Sequence, residues 1–310
     1  MQTGQAEACL TGFLLHSIWT GRKIVMDRIL KKYWPIFVLP TMAAFTIGFI
    51  VPFLQGLYLS FCQFTTIKRA KWVGFENYIR VFTDDPDPLM DSLWFTVAFA
   101  VVSIILINVI GFLFALVLTR ELKGTNVFRT IFFMPNLIGG VVLGYIWQIL
   151  INGLLSVLGE PLLALNTTAG YWGLIILMCW QQVGYMMIIY IAGLQSVPES
   201  LTEAAKIDGA TSLQTLIKVK LPMIMQSITI CVFLTLTNSF KLFDQNMALT
   251  NGEPMNTTTM LALNIYKTFY NRTGPQWKGL GQAKAVIFCI LVVLISFGQL
   301  RATRSKEVQQ

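Results

Sequence analysis

Residues 199–222 read ESLTEAAKIDGATSLQTLIKVKLP, a run of charged and helix-capping residues set between two of the most apolar segments of the chain. Pro198, just ahead of it, suits a first helical turn, where a missing N–H costs nothing. Ser200-Leu-Thr-Glu203 has the S-x-x-E form of a capping box, which predicts a helix starting here. That helix is expected to end at Gly209, a residue able to take the left-handed conformation that terminates helices. Thr211 or Ser212 then caps a second helix running to Leu221, and Pro222 opens the next apolar segment. The pattern is a short helix, a sharp turn and another helix, all outside the apolar segments.

Those segments decide the class. The chain has 310 residues, 55% hydrophobic and 12% charged, against roughly 25% charged in a soluble domain, too few charges to solvate a globule. About 20 apolar residues suffice to cross a bilayer as a helix. Six stretches qualify: Pro35–Leu59, Leu93–Thr119, Thr130–Ile151, Tyr171–Leu194, Met223–Phe240 and Ala285–Leu300. They are continuously apolar rather than alternating, so they read as helices and not barrel strands. The expected fold is an all-α integral membrane protein with six transmembrane helices.

The formal charge of +8 sits at segment ends, which argues against nucleic acid as a partner. Arg22, Lys23, Arg28, Lys31 and Lys32 precede the first span; Arg120, Lys123 and Arg129 follow the second. Lys206, Lys218 and Lys220 lie in the polar run, and Arg301, Arg304 and Lys306 follow the last span. The positive-inside rule makes these four regions, and both termini, cytoplasmic. On the opposite side 152–170 carries no Lys or Arg, although Lys68, Arg69, Lys71 and a scatter from Lys267 to Lys284 run against the trend.

Cys9, Cys62, Cys179, Cys231 and Cys289 show no metal-ligand spacing and read as small core hydrophobes. His16 alone makes no histidine-based metal site, and no stretch matches the GxxxxGK[ST] phosphate loop, so any nucleotide chemistry belongs to a partner. At the N-terminus CLTGFLLHSIW has the length of a signal-peptide core without a basic lead or a small-residue cleavage site. Met26 opens a more conventional basic lead, MDRILKKYWPIFVLP, so residues 1–25 read as an upstream extension.

Polar side chains inside spans are expensive unless they face a cavity or a partner. Gln181, Gln182 and Tyr185 stand in the fourth span, with Gln181 and Tyr185 on one face by their i,i+4 spacing. Thr235, Asn238 and Ser239 crowd one depth of the fifth, and Asn136 follows Pro135 in the third. Amides both donate and accept, as sugar hydroxyls require, and Tyr185 or Trp180 could stack on a pyranose ring; hydrogen bonding between helices is the competing reading. Lys241 and Asp244, just past the fifth span, are spaced for a local pair and read either as gate or rim residues at the extracellular end or as solvated surface charges.

The order EAAKIDGATSLQTLIKVKLP resembles the EAA loop of bacterial ABC importer permeases, E-A-A-x-x-D-G-A followed by I-x-L-P. The matching positions are Glu203, Ala204, Ala205, Asp208, Gly209, Ala210, Leu221 and Pro222, with Val219 in place of isoleucine and Leu216 where the family usually has phenylalanine. WVGFENYIRVFTDD (72–85), FRTIFFMPNLIGGVVLGYIWQILIN (128–152), WQQVGYMMIIYIAGLQSVPESL (180–201) and FDQNMALTNGEP (243–254) are similar to sugar-importer permeases related to the larger membrane subunit of the maltose transporter. This chain lacks that subunit's large extracellular insertion.

The resemblance implies a type I ABC importer permease core at 92–297. A cytoplasmic N-terminal segment at 1–34, a first span at 35–59 wrapping outside the core, and a cytoplasmic tail at 298–310 complete the implied arrangement. It also implies that the EAA loop is a coupling helix seated in a cytoplasmic ATPase, Glu203 hydrogen-bonding at the joint and Gly209 acting as pivot. Implied partners are a homologous second permease, two ATPase subunits that bind the ATP and magnesium, and an extracytoplasmic sugar-binding protein, in a bacterial cell membrane. No cofactor is expected on this chain. Carried over by alignment, the sugar-contact positions fall on Asn136, Gly140, Gln181, Gln182, Tyr185, Thr235, Ser239 and Leu242, to which the polar crowding adds Asn238. An ion- or proton-coupled transporter, for which the spans offer almost no interior carboxylate, a non-transporting scaffold, and an importer of a non-sugar solute are the alternatives.

Overall fold

The computed structural model describes residues 33–36, 38–120 and 123–304. Arg22, Lys23, Arg28, Lys31, Lys32 and Lys306, with Cys9, His16 and the expected start at Met26, lie outside the described residues. The chain forms two units, divided after Tyr58.

The apolar helix α1, Val38–Leu59, runs through the first unit and ends one residue past the division. It contains a π-helical turn at Thr46–Ile50, beside which Thr46 Oγ1 donates to the Met42 carbonyl at 2.8 Å. Phe45, Phe49 and Phe53 stack along one side, with ring centroids 5.1 and 6.2 Å apart.

The second unit opens with a small antiparallel pair, β1 (Cys62–Gln63) and β2 (Lys71–Trp72), with Cys62 opposite Trp72. Helix α2 (Glu76–Thr83) follows. The buried amide of Asn77 donates to the carbonyls of Ser60 and Cys62, both at 2.9 Å, and ties α2 to the strand. The remaining helices are α3 (Leu89–Leu118), α4 (Thr125–Phe133), α5 (Gly140–Leu158), α6 (Thr167–Gln195), α7 (Glu199–Ile207), α8 (Ser212–Met223), α9 (Met225–Phe240), α10 (Asp244–Leu249), α11 (Leu261–Tyr270) and α12 (Pro275–Arg304). Among the described residues, α1, α3, α5, α6 and α12 are long and apolar enough to cross a membrane, and α8 with α9 makes a sixth if the bent pair counts as one span. The protein is a multi-pass, helical membrane protein.

The side-chain order of α3 shows how such a helix packs. Ser92, Thr96, Ala100, Ser103, Ile107, Gly111 and Ala115 recur every three or four residues and are buried, while Val101, Ile105, Val109, Leu113 and Val117 recur every four and are exposed. Spacing of three and four keeps one helix face in register. Small residues inside allow close approach between helices, and branched apolar ones outside suit lipid. At Gly111 an added Cβ would lie 3.3 Å from the Val183 carbonyl of α6, so α3 and α6 touch almost backbone to backbone. Arg129 Nη2 donates to the Leu118 carbonyl at 2.9 Å, placing a cation at the negative end of the α3 dipole.

Three expected spans shift. Thr130–Ile151 is not one helix, because Met134–Leu137 forms a 3₁₀ turn around Pro135; proline has no N–H for the helical ladder, and the crossing helix starts only at Gly140. The fifth starts at Met225, two residues after the expected Met223, and α8 meets it at a bend of 71°. The last helix starts at Pro275, ten residues before the expected Ala285, so Lys284 lies inside it.

Candidate functional site

The polar run forms the helix pair α7–α8. The capping box expected at Ser200 and Glu203 does not form: Pro198, φ −59° and ψ 132°, is the N-cap, and no side chain caps the first turn. Proline fixes the entry two residues too early for Ser200 to cap. The capping box belongs to α8, where Gln214 N–H donates to Thr211 Oγ1 at 3.3 Å and Thr211 N–H to Gln214 Oε1 at 2.8 Å.

Between the helices Gly209 stands at φ +76°. Its N–H donates to the Lys206 carbonyl at 3.1 Å, and that of Ala210 to Ala205 at 2.9 Å, the two bonds of a Schellman termination. Glu203, Ala204 and Asp208 are exposed, and Ala205 and Ala210 half-buried. Ile207 and Leu213 are 86% and 64% exposed, so apolar as well as polar side chains project at this turn. Within α8 a π-helical turn, Leu216–Lys220, precedes Pro222, whose missing N–H breaks the regular ladder.

The candidate path residues divide into two groups. Gln181 is buried; its Nε2 donates to the Ile138 carbonyl at 3.2 Å, and its Oε1 accepts from Gln245 Nε2 at 2.8 Å. Gly140 opens α5 beside them, and a Cβ there would lie 2.8 Å from Asp244 Cβ. One turn on, a Cβ at Gly144 would lie 2.6 Å from Ala248 Cβ, so a small-xxx-small face seats α10 on α5. Asn136 is half-buried in the adjoining 3₁₀ turn. On α6, half-buried Gln182 accepts from Asn238 Nδ2 at 3.2 Å, and Tyr185 is half-buried, its ring 6.3 Å from Phe133.

Thr235, Ser239 and Leu242 behave differently. Thr235 and Ser239 are fully enclosed and Leu242 nearly so. Thr235 Oγ1 donates to the Cys231 carbonyl at 2.8 Å and accepts from Asn108 Nδ2 at 3.3 Å, and Ser239 Oγ donates to the Thr235 carbonyl at 2.8 Å. Their hydroxyl protons serve their own helix, and in this conformation they hold α9 against α3 and α6 rather than facing an opening. Lys241 and Asp244 form no ion pair; Asp244 begins α10 and packs against Gly140. Gln245 and Asn108 were not anticipated. Asn108, an amide in the midst of α3, was signalled by its own polarity; Gln245 shows only through the fold that brings α10 to α6.

The helix order and this geometry agree with relatedness to known transport proteins. Residues 108–304 match the family described as binding-protein-dependent transport system inner membrane component. The chain is 41% identical over 284 residues to the probable starch degradation products transport system permease protein AmyD of Thermoanaerobacterium thermosulfurigenes, covering 89% of this chain and 95% of that one. It is 32% identical over 295 residues to the multiple sugar-binding transport system permease protein MsmF of Streptococcus mutans, covering 92% and 100%. Its fold is similar to a chain of a bacterial ABC transporter involved in the import of the acidic polysaccharide alginate, with TM-score 0.75 and 20% identity over 90% of this chain and 98% of that one. On the family match and the 41% identity, the chain belongs to the binding-protein-dependent transport system inner membrane component family.

Proposed function

We propose that the chain is a membrane-spanning permease subunit of an ATP-driven carbohydrate importer, forming the translocation path for a sugar or oligosaccharide together with a second, homologous permease. The observation that carries the sugar assignment is the pair of amide contacts Gln181–Gln245 and Gln182–Asn238 at the level of Tyr185. Amides that hold one another in a closed path can exchange those bonds for sugar hydroxyls when it opens. Relatives named for starch degradation products, multiple sugars and, in Thermococcus litoralis, trehalose and maltose support the same substrate class.

In this reading Asn136, Gly140, Gln181, Gln182, Tyr185 and Asn238 border the path, and Thr235, Ser239 and Leu242 support it from behind. The segment 92–297 is the importer core, and 35–59 is a further span. Glu203, Ala204, Ala205, Asp208, Gly209 and Ala210 form the coupling joint on the cytoplasmic side, and both termini are cytoplasmic. Two partner ATPases bind ATP and magnesium, and their closure moves the docked α7 as a rigid body. An extracytoplasmic binding protein delivers the sugar. Co-purification from native membranes tests this: a second permease and an ATPase should accompany the chain, and its isolation without either would count against the assignment.

A further inference from the structure

Between the end of α3, the end of α6 and the α7–α8 pair lies a cavity of about 520 Å³. Arg120, Lys206 and Lys220 line it, and no carboxylate does. Among the described residues none of these three cations makes an ion pair. Thr119, Thr202 and Thr215 also line it, but their hydroxyls donate to the carbonyls of Ala115, Glu199 and Thr211. Ser212 adds a neutral hydroxyl to the wall, so the charged donors in the cavity are all cationic. The rest of the wall is largely apolar, with Leu116, Leu194 and Leu216 among its members.

Three cations beside leucines, at the ends of two membrane-spanning helices, fit an amphiphile with an anionic head better than a soluble anion. We propose that this cavity binds an anionic phospholipid, its phosphate held by Arg120, Lys206 and Lys220 and its first acyl carbons against the leucines. Basic pockets between spans on the cytoplasmic side are suited to such headgroups, and the proposal rests on the cytoplasmic placement of α7–α8 argued above. A lipid held here braces the coupling joint against α3 and α6, so transport becomes dependent on anionic lipid.

The test uses the assembled importer, carrying wild-type chain, the Lys206→Gln/Lys220→Gln pair or the Lys206→Arg/Lys220→Arg pair. Each is equilibrated with phosphatidylglycerol-containing micelles and examined by native mass spectrometry. Wild type and the arginine pair should retain phosphatidylglycerol, and the glutamine pair should retain on the order of tenfold less. Equal retention in all three overturns the proposal. So does thermal protection of wild type by inorganic phosphate with no lipid retained. Orientation is read separately, from labelling of α7 in sided vesicles: retention that ignores the lysines while α7 labels from the cytoplasm rejects the lipid site and leaves the proposed function standing.

Discussion

Lys284 of α12 and Asp85, in the loop before α3, form an ion pair at 2.7 Å with both side chains almost wholly buried. Lys284 Nζ also donates to the Asp87 carbonyl at 3.0 Å, Asn264 Oδ1 at 2.8 Å and Thr268 Oγ1 at 2.9 Å. Asp87 in turn takes Arg272 Nη2 at 2.6 Å, and the Arg272 guanidinium lies 4.8 Å over the Trp277 ring. One ammonium thus joins the loop before α3 to α11 and α12. Burial raises the Asp85 carboxyl above its usual range, with the contact to Lys284 opposing it.

Removing one partner of a buried pair strands the other, at about 3–5 kcal/mol. Lys284→Met should lower the thermal stability of the solubilised importer by that order. Lys284→Met with Asp85→Leu should recover most of it, because no buried charge is left unpaired. Equal losses in the single and double variants, measured by thermal unfolding, would show that the pair is not what holds these elements.

Gly184 gives a packing test in the middle of α6. A Cβ there would run into the Phe132 carbonyl of α4. Gly184→Ala should therefore cost about 1–3 kcal/mol through forced separation of the helices, and Gly184→Leu should reduce the yield of assembled protein. Unchanged unfolding of the alanine variant would contradict the close approach.

Gly209 links local backbone to mechanism. Proline cannot adopt φ +76° and has no N–H for the Lys206 carbonyl. Gly209→Pro should abolish transport while membrane insertion, read from fractionation, stays normal. Normal uptake would remove the coupling role from α7.

Ile207 reports which side α7 occupies, being 86% exposed. Ile207→Cys should react with a membrane-impermeant maleimide in inside-out vesicles and be protected in right-side-out ones. The reverse pattern would invert the proposed orientation.

Much of this was legible in residue order, and the losses have physical causes. Continuous apolar runs mark membrane helices because lipid satisfies no backbone groups, and Gly209 was readable because a left-handed turn favours glycine. Pro135 could have warned that 130–151 is not one helix, since its effect on the ladder is local. The buried Lys284–Asp85 pair was not legible. Its carboxylate lies outside any span, and the expected start at Ala285 left the lysine in a loop. The enclosure of Thr235 and Ser239 was equally hidden, because composition marks a polar side chain in a span without saying whether a helix or a path receives its hydrogen bonds.

In the proposed assignment this chain moves sugar only as part of an ATP-driven assembly. Uptake of labelled mono- and oligosaccharides into proteoliposomes tests it, comparing the complete importer plus its binding protein with this chain alone. Uptake by the complete assembly should require ATP, fall sharply in Gln182→Ala and Tyr185→Ala, and be absent for the chain alone. Uptake by the chain alone without ATP would contradict it.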